Sequence, residues 1–326
     1  MSGQNLAFNA APLIREIGRG KKGARDMSQA DARAVYAAML ERRVSDLELG
    51  ALLIGMRIKG ESVAEIAGFL EAAEASFQPL SAPVTTYAPV VIPSYNGSRQ
   101  LPNLTPLLAL LLAREGVPVL VHGVTEDPGR VTTAEIFEAL GIGAVNNALQ
   151  VSDALMQRNP VFIPISVLAP KIYQLLQLRR VLGLRNSTHT LVKIMQPFNQ
   201  PVLRLVSYTH PEYLPVLSEY FLTVEDQARG DIFLMRGTEG ETVANPKRAN
   251  AVTWFSQGQS TELIERQAPN DTLPVLPASN DARVTAHWIQ QALQGQQPIP
   301  APISEQVAHC LRVAKQLRSW AKYFHE

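Results

Sequence analysis

Cysteine is almost missing from this chain: Cys310 is the only one in 326 residues. An intrachain disulfide and the small disulfide-stapled folds are thereby excluded. Also missing is an opening cationic segment followed by an apolar one, so no secretory leader is expected and the cytoplasm is the expected compartment. Long apolar runs are absent too. The longest, LTPLLALLLA at residues 104–113, is too short to span a bilayer and contains a proline, so it reads as a buried helix and no membrane partner is expected. There is no excess charge of either sign, because Lys+Arg 30 against Asp+Glu 29 leaves a net charge of +1. Any basic footprint must therefore be local. Internal repeats and low-complexity tracts are not found. With 46% hydrophobic and only 18% charged residues, the chain is long and apolar enough for two domains or one large one.

From Ser28 to about Phe77 the pattern is helical. Ser28 with Asp31, Ser45 with Glu48 and Ser62 with Glu65 each place a hydroxyl three residues before a carboxylate, the spacing that answers the open amides of a helix start. A stretch rich in proline and small polar residues, QPLSAPVTTYAP at 78–89, then leads into short β-branched runs at 90–92, 117–123, 161–166, 202–208 and 231–237, separated by helical segments. Strands alternating with helices predict a mostly parallel sheet covered on both faces. Pro170 and Gly183 bracket a further helix, KIYQLLQLRRVL, suited to pack with the first ones. The expected class is α/β: a small, mostly helical domain over 1–80, completed by a helix at 168–190, and a larger α/β domain over 85–326. Two more helices, VTAHWIQQAL and SEQVAHCLRVAKQLRSWAKY, are expected near the end.

Acidic residues are absent between Asp153 and Glu212, whereas Arg158, Lys171, Arg179, Arg180, Arg185, Lys193 and Arg204 all fall in that interval. Seven cations with no local carboxylate need partners from elsewhere in the fold or from an anionic ligand. A second cluster, EIGRGKKGAR, interleaves Arg19, Lys21, Lys22 and Arg25 with three glycines; it reads as a flexible solvated connection or as a loop that moulds to a phosphate backbone. IPSYNGSR at 92–99 follows a strand, where ligands of open α/β sheets bind, and its amides with Arg99 suit a phosphate. Gly97 is its only glycine, so taken alone it reads as an ordinary turn. His122 and Gly123 end another strand, before a capping box at Thr132 and Glu135; His122 is a candidate for phosphate contact or proton transfer, or a structural hydrogen-bonding residue. Glu239 and Glu241 in RGTEGE are weak candidates for Mg²⁺.

Taken together, the helical start, the strand-loop at 90–99, HG at 122–123, RRVLGLRNSTHTL at 179–191 and RGTEGE resemble the anthranilate phosphoribosyltransferase and nucleoside phosphorylase-like family, glycosyltransferase family 3, from about residue 10 to 300. EIGRGK, RIKGE, VIPSYNGSR, VHGVTEDPGRV, RNSTHTL and GTEGE are similar to its TrpD-like branch. The family's donor loop is a GTGGD type, where this chain has IPSYNGSR. Its KHGNR-type motif survives as His122 and Gly123, and its paired DGLDE-type acids are reduced to Glu239 and Glu241. Arg179 falls where the family has an arginine facing anthranilate.

The resemblance implies a homodimer joined through the helical domain, and the branch implies nucleic-acid binding, DNA or possibly RNA, with little sequence preference. In that reading Arg19, Lys21, Lys22, Arg25, Lys171, Arg179, Arg180 and Lys193 contact phosphates and no cofactor is expected. Tyr95, Asn96, Gly97, Arg99, His122, Gly123, Arg179 and Glu239 line a vestigial donor and acceptor cleft. The alternative is a phosphoribosyl or glycosyl transferase for an aromatic or nucleobase-like acceptor, which requires Mg²⁺. A third expectation is an interaction protein acting through its helical domain.

Overall fold

The computed structural model describes residues 7–20, 22–268 and 275–323. Its chain forms two compact units, one of residues 1–78, 169–195 and 215–225, the other of 79–168, 196–214 and 226–326.

The first unit is helical. Ser28, Ser45 and Ser62 cap Gln29–Leu40, Asp46–Lys59 and Val63–Glu74, and the latter two starts carry the full reciprocal box with Glu48 and Glu65. Glu65 does more than cap. It is fully buried; Oε2 accepts from the Ser62 amide at 2.8 Å and from Lys59 Nζ at 2.7 Å, while Oε1 accepts from the Met27 amide at 2.9 Å. One carboxylate thus joins two helix ends to the chain leaving the glycine-basic loop. Burial opposes the charge on Lys59, but hydrogen bonds to Asp26 and Glu65 outweigh it and raise the amine above its ordinary value. Pro170–Leu182 opens on its proline and closes at Gly183 in the left-handed region, φ 70°. The buried Tyr36 hydroxyl meets Thr188 Oγ1 at 2.9 Å, tying Gln29–Leu40 to Thr188–Ile194.

The second unit is built on one sheet of seven strands: β1 Val90–Ser94, β2 Val119–Gly123, β3 Val161–Pro164, β4 Val202–Tyr208, β5 Gly230–Arg236, β6 Val252–Ser256 and β7 Gln259–Ile264. Their order is β3-β2-β1-β4-β5-β6-β7, with β1 to β5 parallel and the last two pairings antiparallel. The parallel strands are nearly continuous Val, Ile, Leu and Phe because both faces are covered. The order in which strands are added reverses between the parallel β1 and β4, so the carboxyl ends of those strands, at Ser94 and Tyr208, flank the switch point where such sheets form ligand crevices.

The hairpin of β6 and β7 has no counterpart in the sequence reading. Its signal was present: AVTWFS and QSTELI flank Gln257 and Gly258, both at positive φ (50° and 71°), the two-residue turn that suits a twisted hairpin. Ala282–Leu293 and Ala301–Tyr323 form the expected late helices. Cys310 on the latter is wholly buried, which pushes its thiol up and leaves it inert. Among the described residues no helix is long and apolar enough to cross a membrane.

Candidate functional site

The loop after β1 is held from several sides. Ser98 and Val131 exchange two backbone hydrogen bonds of 2.9 Å, Arg130 Nη1 donates to the Gly97 carbonyl at 3.3 Å, and Ser94 Oγ meets Thr133 Oγ1 at 2.8 Å. Gly97 has φ 62°, and a Cβ there would lie 2.8 Å from the Val131 carbonyl oxygen, so any other residue is both strained and obstructed. Tyr95, Asn96 and Ser98 are buried, and Arg99 is exposed.

What the loop's amides point at is the distinctive feature of the site. The Asn96 and Gly97 amides both donate to Glu241 Oε1, at 2.8 and 2.6 Å. The Arg99 amide donates to Glu239 Oε2 at 2.6 Å, and the Gln100 amide reaches the same carboxylate at 3.2 Å. Converging main-chain amides of this kind form an anion-binding concavity; here the anions are the chain's own. They are delivered by a tight turn in which Thr238 and Glu241 exchange backbone bonds of 3.0 Å and Glu239 and Gly240 take positive φ (51° and 96°). A side chain on Gly240 would collide with the Asn96 amide group, so the turn is seated directly on the loop.

Glu239 and Glu241 were candidates for Mg²⁺. Both carboxylates are instead occupied by backbone amides, and no group of three or more His, Cys, Asp or Glu among the described residues is placed to hold a metal ion. The arrangement does not fit the metal-bridged diphosphate that the family resemblance implies. Glu241 is wholly buried and its second oxygen, Oε2, has no hydrogen-bond partner among the described residues.

His122 is also wholly buried, with Nδ1 2.6 Å from the Tyr95 hydroxyl and the two rings edge to face. Burial lowers its pKa from 6.5 to about 3, so it is neutral at physiological pH and offers a phosphate no positive charge. Burial raises the Tyr95 phenol well above its ordinary value as well. The pair is a neutral strut beneath the loop. Gly123, beside it, packs against the Ser94 carbonyl on β1.

The expected phosphate-contacting cations divide. Lys22, Arg25, Lys171 and Arg180 are exposed, and Arg19 is exposed at the loop's start. Arg19 and Arg25 share one carboxylate, Glu16, at 2.6 and 3.8 Å. Lys193 is a correction: at 8% exposure it is buried, on the inner face of Thr188–Ile194, and does not face solvent. Arg204 of the acid-free interval is likewise buried, inside β4. Lys21 lies outside the described residues. Arg179 is half-buried in the helical unit, whereas Tyr95, Asn96, Gly97, Arg99, His122, Gly123 and Glu239 all belong to the α/β unit.

A residue the sequence reading passed over, His189, marks where the cations gather. Burial, then the positive charges of Arg185, Arg179 and Lys193, lower its pKa to about 3. The signal was the acid-free RRVLGLRNSTHTLVK stretch, in which Arg179 near the end of one helix, Arg185 in the loop and Lys193 on the next helix all act on one imidazole.

Residues 11–76 match the glycosyl transferase family, helical bundle domain. The chain is 44% identical over 300 residues to the uncharacterized protein YbiB of Escherichia coli, covering 92% of each chain. It is 26% identical to the anthranilate phosphoribosyltransferase of Novosphingobium aromaticivorans, over 90% of this chain and 88% of that one. Among solved structures, anthranilate phosphoribosyltransferase of Thermus thermophilus superposes with a TM-score of 0.70 at 21% identity, covering 94% of this chain and 91% of that one. The Saccharomyces cerevisiae enzyme, in complex with PRPP and Mg, gives 0.61 at 13% identity, covering 95% and 99%. These structures share the fold described above.

Proposed function

Because this chain belongs to the TrpD-like branch of the anthranilate phosphoribosyltransferase family, its fold is that of a transferase, and we propose that it uses this fold to bind nucleic acid through phosphate contacts instead of transferring a phosphoribosyl group. The observation that carries the reading is the occupation of the loop amides at 96, 97, 99 and 100 by Glu241 and Glu239. A diphosphate donor would need those amides for its charge, and here the chain's own carboxylates hold them.

What the protein offers a polyanion is the exposed set Lys22, Arg25, Lys171 and Arg180, all in the helical unit. Such contacts position a backbone without reading sequence. In a homodimer joined through the helical unit, two such surfaces act together and avidity follows.

Labelled duplex DNA is expected to bind with an affinity that falls steeply with salt. The double variant Lys22→Ala, Lys171→Ala is expected to reduce the slope of log K against log salt by roughly 2 for each subunit engaged. Binding that ignores salt, or a variant with an unchanged slope, overturns the reading.

The second reading is Mg²⁺-dependent phosphoribosyl transfer to an aromatic or nucleobase-like acceptor, and the relatives taken alone favour it, since several carry that activity in their names. Its structural support is that the loop amides of Asn96 and Gly97 do converge on a single oxygen. For this reading both carboxylates must leave the loop. Heat on titrating phosphoribosyl diphosphate with Mg²⁺ into the protein, followed by turnover, establishes it; silence at millimolar donor removes it.

A further inference from the structure

We propose that the cavity between the end of Gln29–Leu40, the start of Asp46–Lys59 and the helix Pro170–Leu182 binds an amphipathic monocarboxylate, a single negative charge on an apolar body. The cavity lies within the helical unit, shares only Lys171 with the surface proposed to bind nucleic acid, and does not depend on that reading.

Three observations carry it. First, the size and lining are those of a small-molecule site. The volume is about 500 Å³, inside the roughly 300–1,000 Å³ typical of ligand pockets. Met39, Leu40, Val44 and Leu175 supply a buried apolar floor, and the exposed Arg42, Lys171 and Gln174 stand at the rim. Second, Arg42 holds a backbone conformation that its residue type disfavours. It follows the cap of Gln29–Leu40, where its amide donates to the Met39 carbonyl at 3.3 Å and the Arg43 amide donates to the Ala38 carbonyl at 2.8 Å, and its φ is 56°. Glycine is the usual residue at that position, because a Cβ opposes the left-handed conformation. The guanidinium gains only one exposed hydrogen bond, from Nη2 to Gln174 Oε1 at 3.0 Å, which contributes little to stability. Third, Lys171 puts a positive charge in the first turn of Pro170–Leu182, the end of a helix that favours anions, and no acidic residue accompanies it there. Among the described residues neither Arg42 nor Lys171 is ion-paired. Each cation stands where helix energetics alone disfavour it, and both line one cavity.

The chemical class follows from the lining. Two cations against the one carboxylate of Asp46 leave a surplus of one positive charge. The adjacent helix start is already answered by the Ser45 and Glu48 box, so the side-chain cations are left as the anion's partners. A planar carboxylate matches the guanidinium fork of Arg42, and an alkyl or aryl body matches the apolar floor.

The test is calorimetric titration of sodium octanoate, and separately of octan-1-ol, into the full-length protein and its Arg42→Gly and Leu178→Trp variants. Wild-type protein is expected to bind octanoate with a dissociation constant below roughly 1 mM and octan-1-ol at least roughly tenfold more weakly. Arg42→Gly is expected to melt no lower than wild type, because glycine suits φ 56°, and yet to bind octanoate at least roughly tenfold more weakly. Leu178→Trp, which fills the cavity from a half-buried position, is expected to lose binding while keeping the oligomeric state; if it does not fold, Arg42→Gly decides alone. Wild-type protein that ignores octanoate, equal affinity for the alcohol, or undiminished binding by Arg42→Gly overturns the proposal. So does a Leu178→Trp variant that changes oligomeric state, which assigns the cavity to a second copy of the chain. All of these are read without DNA, so this idea and nucleic-acid binding fail separately.

Discussion

Lowering the pH from 7 to about 4.5 is expected to remove on the order of 3 kcal/mol of stability through His122 alone. The folded protein holds this imidazole neutral, with its pKa lowered from 6.5 to about 3 by burial. Between those two values the unfolded chain takes up a proton that the folded chain refuses, so acid favours unfolding. Stability is fully present above the unfolded value and is lost as pH falls through the window toward about 3. His189, depressed to about 3 by burial and by three neighbouring cations, adds to the loss in the same direction. Asp231, whose carboxyl is raised by burial, acts in the opposite sense and offsets part of it. The His122→Asn variant keeps a polar group for the Tyr95 hydroxyl and cannot titrate. Urea unfolding of both proteins at pH 7 and 4.5 isolates the effect: the wild-type protein should lose more stability than the variant by about 2 to 3 kcal/mol. Parallel losses in the two proteins refute the account.

Removing the Glu65 carboxylate is expected to be the most damaging single change in the helical unit, at about 3 to 5 kcal/mol for Glu65→Ala. The loss leaves Lys59, whose side chain is only 7% exposed, with Asp26 as its remaining carboxylate beside the Gly60 carbonyl. It also orphans the amides of Met27 and Ser62. A cycle with Lys59→Met separates the contributions: the double variant should be less destabilised than the sum of the singles, because the ammonium no longer needs a partner. Strict additivity of the two changes would show that the carboxylate acts only as a helix cap. The Met27 amide marks the exit of the 19–25 loop, so on the proposed nucleic-acid reading Glu65→Ala is also expected to weaken DNA binding, although Glu65 itself is buried.

The helix starts at Ser28, Ser45 and Ser62 were readable because each cap closes within four residues, as a full box at the latter two. The five parallel strands were readable because burial on both faces makes each a short apolar run. The candidate site was only half legible. IPSYNGSR announced itself as a strand-end loop, but nothing near it in sequence reveals that Asn96 and Gly97 are answered by a residue 145 and 144 positions away. Glu239 and Glu241, spaced by one glycine, look the same whether they hold a metal or a backbone. Lys193 was misplaced because the absence of nearby acids says nothing about which face of a seven-residue helix points inward.

The separation between the loop and its carboxylate bears on how the chain folds. Asn96 follows β1 and Glu241 follows β5, and in the sheet β4 lies between those strands. The loop's amides acquire their partners only when β4 has joined β1 and β5 has joined β4, so this is among the last long-range contacts to close. Hydrogen exchange at the Asn96 and Gly97 amides consequently serves as a clock for sheet assembly, with protection appearing after that of the β1 to β2 ladder.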